Sequence, residues 1–388
     1  MISRTAEKEL RSLSGQFKAV AVVGPRQSGK TTLVRAVFKD KPYASLENPD
    51  LRKFAMDDPR GFLSAYPEGA IFDEIQRAPE LFPYLQQIID ETKEHGSYVL
   101  TGSNDFLLQE SISRGLAGRA GYLFLLPLSL EEIPGKKPDC HPCLYQGGYP
   151  ALYQETADVE QFYANYIRTY IERDVRLLKN ISDLYTFERF LRLCAGRTGQ
   201  LLNMSSLAIE VGVDTKTIGS WIGLLEATFV VFRLQPWHEH HHRRVVKMPK
   251  LYFYDTGLAC ALLGIANPAQ LHLHPLRGSL FENLVVVEFL KHRWNQGKSN
   301  NLFFWRDNVG NEVDLLIDEG SGPLPVEIKA GQTITEHFFK GIRFWNKLTD
   351  TTGGIVIYAG NTPQDRSNGI RVVPFHQVAG VLVGNSRK

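Results

Sequence analysis

The chain has 388 residues, 43% of them apolar and 22% charged, an ordinary globular composition with room for about two to four domains, each with its own core. A net charge of +2 excludes a surface that is basic throughout, so nucleic-acid contact would have to come from local patches. Four cysteines at this length make no disulfide framework. The opening MISRTAEKELRSL is charged and amphipathic rather than an apolar signal. The longest run without Asp, Glu, Lys or Arg, TGLACALLGIANPAQLHLHPL, carries Asn, Gln, His and two prolines and is a poor membrane span. The expectation is a cytoplasmic protein with no membrane partner.

KAVAVV, residues 18–23, reads as a buried strand ending at Gly24. GPRQSGKT follows at 24–31, and TLVRAVF continues with helical spacing, which is the strand, loop and helix order of a phosphate-binding P-loop. Gly24, Pro25, Arg26, Gln27, Ser28, Gly29, Lys30, Thr31 and Thr32 are therefore the expected ATP-binding residues. The glycines let backbone N–H groups turn toward phosphate, and the helix dipole favours the anion. Lys30 would neutralise the β- and γ-phosphates, and Thr31 would hold Mg²⁺.

GAIFDEI, residues 69–75, supplies the acidic end of a second buried strand. Asp73 is expected to bind Mg²⁺ through water and Glu74 to polarise the attacking water. SYVLTGSND, residues 97–105, is a third β-rich run. Thr101, Ser103 or Asn104 would sense the γ-phosphate, with Ser103 and Asn104 favoured and no choice made between them. Arg114 and Arg119 lie in SRGLAGRAGYLFLLPLSLEE, a segment suited to an arginine finger offered to a neighbouring subunit. SLENPDLRKFAMDDPRGFL, GAIFDEIQRAPELF, VLTGSN and LAGR…LLPLSLEE together resemble a widespread prokaryotic branch of AAA-type ATPases, over roughly the first 135 residues. The resemblance implies ATP binding, hydrolysis, and a ring or other homo-oligomer.

PGKKPDCHPCLYQGGYP, residues 134–150, reads as a linker, and its CxxC has no second ligand pair nearby for zinc. Residues 158–195 have the spacing of charged connector helices. In SSLAIEVGVDTKTIGSWIGLLEATFVV, residues 205–231, Leu207, Ala208, Val211, Gly212, Val213, Ile218 and Trp221 have helix-turn-helix spacing. Two strands and a wing would follow, with Arg243, Arg244, Lys247 and Lys250 suited to phosphate contact and HEHHH, residues 238–242, on an exposed loop. Such a module binds DNA or serves as interdomain packing, and the sequence favours neither.

RGSLFENLVVVEFLKHRW, residues 277–294, reads as a helix carrying Glu282 and Glu288. NLFFWR, NEVDLLID and PVEIKA read as strands. Alternation places Glu312 and Asp314 on one face and Glu327 and Lys329 on one face. Paired as a hairpin, the strands would bring Asp314 beside Glu327 as ligands of Mg²⁺, with Lys329 to stabilise charge on phosphate. Glu282–Asp314–Glu327-x-Lys329 resembles the PD-(D/E)xK, or restriction-endonuclease-like, nucleases over about 276–360, with Val313 where the motif has proline.

The expected fold is α/β: a P-loop NTPase domain with a parallel sheet over 1–135, a linker and helical connector over 136–197, a winged helix over 198–275, and a restriction-endonuclease-like α/β domain over 276–388. The expected function is an ATP- and Mg²⁺-dependent ATPase coupled to a DNA-facing C-terminal half that acts as a Mg²⁺-dependent nuclease. The alternative is a nucleotide-gated switch that binds DNA or a protein partner with an inactive nuclease-like fold.

Overall fold

Alternation within the first apolar strand already separates two layers. Ala19, Ala21 and Val23 enter one core, while Val20 and Val22 enter another. In the computed structural model of the chain, the described residues are 2–103, 116, 118–135, 138–154, 157–171, 183–238, 246–320 and 322–384. The first sheet comprises β1 (Ala19–Val23), β2 (Tyr43–Ser45), β3 (Ile71–Asp73), β4 (Tyr98–Gly102) and β5 (Ala120–Phe124), ordered β2-β3-β4-β1-β5 with every pairing parallel. Its central strands β1 and β4 are buried on both faces, which is why they read as near-continuous apolar runs. Helices Glu7–Gln16 and Lys30–Val37 cover one face. The other face joins a core that runs on through the rest of the chain.

The expected linker is instead packed structure. Residues Cys140–Gln146 form a helix that buries Cys140, Cys143 and Leu144. Proline and glycine here cap and turn short helices rather than loosen the chain: Gly147 closes this helix at φ 68°, and its N–H returns to the Cys143 carbonyl. All four cysteines are buried free thiols.

Helices Met204–Val211 and Thr215–Ala227 are separated by Gly212 at φ 83° and capped by Asn203 and Asp214. Leu207, Ala208, Val211, Ile218 and Trp221 are buried between them and their neighbours. β6 (Val231–Leu234) and β7 (Lys250–Phe253) pair antiparallel. Arg243, Arg244 and residues 239–242, most of the HEHHH run, lie outside the described residues. Lys250 corrects a sequence expectation. It is only 2% exposed and is no phosphate contact on a wing.

The second sheet is mixed and ordered β12-β13-β11-β10-β9-β8. Its strands are β8 (Leu302–Arg306), β9 (Glu312–Asp318), β10 (Pro323–Lys329), β11 (Gly354–Tyr358), β12 (Gln364–Asp365) and β13 (Ile370–Pro374). β9 and β10 are antiparallel with Leu315 opposite Val326, so Asp314 and Glu327 come next along each strand. Helix Arg277–Trp294 is buried along most of its length, and helix Lys340–Thr349 packs near β9 and β10. The middle region is hydrogen-bonded into this sheet. The Trp237 N–H donates to the Phe304 carbonyl (2.7 Å) and the Phe304 N–H to the Gln235 carbonyl (3.1 Å). Among the described residues no helix is long and apolar enough to cross a membrane.

Candidate nucleotide site and acidic cluster

The carboxyl ends of β1, β4 and β3 lie side by side, and each delivers one part of a site. From β1 the chain enters the loop at Gly24. A Cβ there would meet the Leu125 carbonyl oxygen at 2.1 Å, so only glycine fits. Gly29 adopts φ 92° and opens helix Lys30–Val37, whose N-terminal N–H groups face the crevice. Gln27 also sits at positive φ, 60°.

Lys30 is buried, and its ammonium donates to the loop carbonyls of Gly24 (3.0 Å) and Pro25 (2.7 Å). Burial pulls its pKa down to about 8, against the opposing pull of Glu74 and Asp73. Thr31 Oγ1 donates to Asp73, 3.0 and 3.1 Å from its two carboxylate oxygens. Tyr43 at the start of β2 donates its hydroxyl to Asp73 Oδ2 (2.7 Å), and Thr101 of β4 also donates to Asp73. Burial, then the Asp73 hydrogen bond, pushes the Tyr43 phenol up to about 12.

Glu74 follows Asp73 in the left-handed region at φ 53°. Its carboxylate accepts from Ser103 Oγ (2.8 Å) and from Gln76 Nε2. Of the three sensor candidates, Thr101 therefore engages Asp73 and Ser103 engages Glu74, while Asn104 and Arg114 lie outside the described residues. Arg26 faces Glu47 at 3.8 Å. Arg119 lies at the other edge of the sheet, before β5, where its Nη2 donates to Asp90 (3.0 Å).

These residues fit a nucleoside triphosphate with Mg²⁺. Among the described residues, Ser28 Oγ is buried in the loop with no hydrogen-bond partner, and Gln76 Oε1 beside Glu74 likewise. Lys30, Thr31 and Asp73 supply the charge and oxygen donors that phosphate and Mg²⁺ need. Tyr43 and Gln76 escaped the sequence reading. Only the pairing of β2 with β3, Tyr43 opposite Ile71, reveals the first.

The second constellation is also assembled. Lys329 Nζ bridges Asp314 (2.8 Å) and Glu327, and Asp314 Oδ2 accepts from the Ile328 N–H (2.8 Å). Burial raises Glu327 well above the usual carboxylate range, with Asp314 adding repulsion. Asp314 is held low: burial works against its charge, but Lys329, Lys250 and the Ile328 N–H overcome it.

Glu282 meets a different partner. Its Oε1 accepts from Lys250 Nζ (2.8 Å) and Tyr252 OH (2.5 Å). Lys250 also contacts Glu312. Arg306 pairs with Glu312 (3.0 Å). Carboxylate oxygens of Glu282, Glu312 and Asp314 lie within 4.8 Å of one another, while Glu327 stands outside that trio. The donor set suits Mg²⁺, but the cation already there is the Lys250 ammonium. Burial works against its charge, yet Glu282, Tyr252, Glu312 and Asp314 hold its pKa well above the ordinary value. The cluster as folded therefore does not fit a resident metal ion.

Fold and nucleotide crevice together define an AAA-type P-loop ATPase domain, and residues 16–134 match the family described as an AAA domain. Residues 138–269 and 277–378 match two families described as domains of unknown function. The chain is 30% identical over 382 residues to the uncharacterized proteins Rv2008c of Mycobacterium tuberculosis and Mb2031c of Mycobacterium bovis, covering 97% of this chain and 84% of each relative; it belongs to their family. An uncharacterized protein of Haemophilus influenzae is 23% identical over 211 residues, half of each chain. Among solved structures, the Walker-type ATPase PABY2304 of Pyrococcus abyssi aligns with a TM-score of 0.45 at 15% identity, covering 68% of this chain and 96% of its own. A point variant of RuvB from Thermotoga maritima aligns with a TM-score of 0.30 at 15% identity, covering 60% of this chain and 90% of its own.

Proposed function

We propose that the chain binds ATP with Mg²⁺ at residues 24–32 and hydrolyses it. The observation that carries this reading is the Thr31–Asp73–Thr101 contact at the mouth of the Lys30 loop, with Glu74 one residue on. Mg²⁺ held through Thr31 and Asp73 would draw charge from the β- and γ-phosphates. Lys30 leaves its loop carbonyls for phosphate oxygens. Glu74 would take a proton from the attacking water as the water oxygen bonds to the γ-phosphorus and the bond from that phosphorus to the β–γ bridging oxygen breaks, releasing ADP and phosphate; Ser103 and Gln76 hold the carboxylate in place until then. Glu74→Gln should leave ATP binding within about threefold of wild type and slow hydrolysis on the order of 10²- to 10⁴-fold. Steady-state turnover beside binding of a fluorescent ATP analogue checks both, and unimpaired turnover would remove Glu74 from this role. Arg119 or Arg114 would complete the site in trans within a homo-oligomer. Mixing Glu74→Gln with Arg119→Ala subunits reads this out as restored or unrestored turnover.

For the C-terminal half, one observation favours the non-cutting reading: the Lys250 ammonium already pairs with Glu282 and Glu312 of the Glu282–Glu312–Asp314 trio. We infer a nuclease-like fold without cleavage, joined to a winged helix whose exposed Lys216 and Lys247 suit DNA phosphates, with ATP gating the contact. ATP turnover and DNA integrity in one Mg²⁺-containing reaction test it. Intact DNA with DNA-stimulated turnover is expected. Cleavage that is lost in Asp314→Ala would establish the nuclease instead. Intact DNA without stimulation would point to a protein partner.

A further inference from the structure

Where a P-loop peptide turns its N–H group inward toward phosphate, its carbonyl must be satisfied on the opposite side, as at Ser28. One residue far from the motif does this. Arg4 is buried, and its Nη1 donates to the Ser28 carbonyl at 2.7 Å. Its Nη2 donates to the Leu126 carbonyl, also at 2.7 Å. The Ser28–Gly29 peptide is trans, since no cis bond occurs in the described residues. In a planar trans peptide the C=O and the following N–H point in opposite directions. Holding the Ser28 carbonyl outward therefore aims the Gly29 N–H into the cradle. Leu126 follows the segment on which Gly24 closes, so Arg4 staples the loop to its outer rail.

The staple is held in turn. Arg4 Nε stands 3.1 Å from Glu132, with the two side chains 6% and 1% exposed. Glu132 also accepts from Thr5 N (2.6 Å), Thr5 Oγ1 (2.9 Å) and Ser129 N (2.9 Å). Charge is thus compensated inside the fold, and the staple gives the loop orientation rather than net potential. Thr5 Oγ1 accepts from Asn295 Nδ2 at 2.6 Å, just past helix Arg277–Trp294. The same helix fixes the rail, with Glu288 accepting from Leu130 N (2.8 Å) and Lys291 donating to the Leu128 carbonyl (2.8 Å).

We propose that Arg4 is a positioning residue for nucleotide binding, presetting the Ser28–Gly29 peptide from the base of the C-terminal helix. The proposal rests on the ATP-binding reading above. Arg4→Ala would leave Glu132 buried without its cation and could fail to fold. The test therefore uses Arg4→Lys, which keeps a charge beside Glu132, and the double variant Arg4→Met with Glu132→Met, which removes the pair together. Affinity for a fluorescent ADP, KM and kcat for ATP, and melting temperature with and without ADP are measured on the full chain. Both variants should bind ADP about tenfold more weakly, the worth of one lost charge-assisted contact. KM should rise in step, kcat should stay within about twofold, and the ADP-induced rise in melting temperature should shrink. Folded variants that bind ADP as tightly as wild type, even with a lower melting temperature, would overturn the assignment and leave Arg4 a purely structural residue. A wild-type chain that binds no nucleotide would overturn both this role and the ATPase reading.

Discussion

Lys30→Met should weaken ATP binding on the order of a hundredfold or more while making the nucleotide-free chain more stable. Both effects come from one ammonium. Without nucleotide it is buried against two loop carbonyls, and burial brings its pKa from 10.5 to about 8. That gap corresponds to about 3 kcal/mol of destabilisation at neutral pH. Because the folded value lies below the unfolded one, the unfolded chain binds more protons between about pH 8 and 10.5. Stability therefore rises with pH across that window, and the full cost is present below it. Denaturant unfolding should show this rise in wild type and its absence in Lys30→Met. Phosphate reverses the preference by favouring the charged form, so ATP affinity should fall as pH climbs through about 8. Binding near that pH should take up protons, which calorimetry in buffers of different ionisation heat detects. Undiminished ATP affinity in Lys30→Met would sink the P-loop assignment.

What the sequence disclosed about this site was its local part. β1, the loop and the helix are consecutive, and their apolar run, glycines and helical spacing state the geometry within a short window. Asp73 and Glu74 are legible for the same reason, at the end of a short apolar strand. Arg4 is not, because its partners Ser28 and Leu126 are distant in the chain and nothing in MISRTAEKEL differs from a solvated helix start. The acidic cluster divides the same way. Strand alternation foretold the faces of Asp314, Glu327 and Lys329, and β9 and β10 pair as that reading required. Lys250 could be placed only by tertiary structure. Beside the basic run at Arg243 and Arg244 it looks like a phosphate contact, yet β7 carries it beneath Glu282 and Glu312. Composition misled at residues 134–150, where proline and glycine shape compact turns around the buried Cys140 and Cys143.

Lys250→Met should convert that cluster into a divalent-cation site. In wild type the ammonium answers Glu282 and Glu312 directly, with Asp314 close by. Methionine keeps much of the volume and removes the charge, leaving three carboxylates whose oxygens lie within 4.8 Å of one another. Arg306 still pairs with Glu312 and Lys329 with Asp314, so Glu282 is the carboxylate left uncompensated; a buried charge without its partner costs about 3–5 kcal/mol, and in EDTA the variant should lose stability of that order. Two things can relieve the repulsion. Protonation is one: Glu282, buried and stripped of the Lys250 charge that opposes the rise, has a folded pKa above the unfolded one, so the variant should regain stability as pH falls toward 5. A hard divalent ion is the other, and Mg²⁺ or Mn²⁺ should restore the melting temperature of Lys250→Met. Without nucleotide, the same ions should scarcely move wild type, because its cluster already holds a cation. Manganese bound to the variant is countable by electron paramagnetic resonance, and adding Asp314→Asn should abolish that signal. Wild type that binds Mn²⁺ at this cluster as tightly as Lys250→Met would show that the lysine yields to metal, and the nuclease reading would then regain its footing. Lys250→Met that stays fully stable in EDTA would mean the carboxylates separate freely, and the lysine would be a passenger rather than the resident cation.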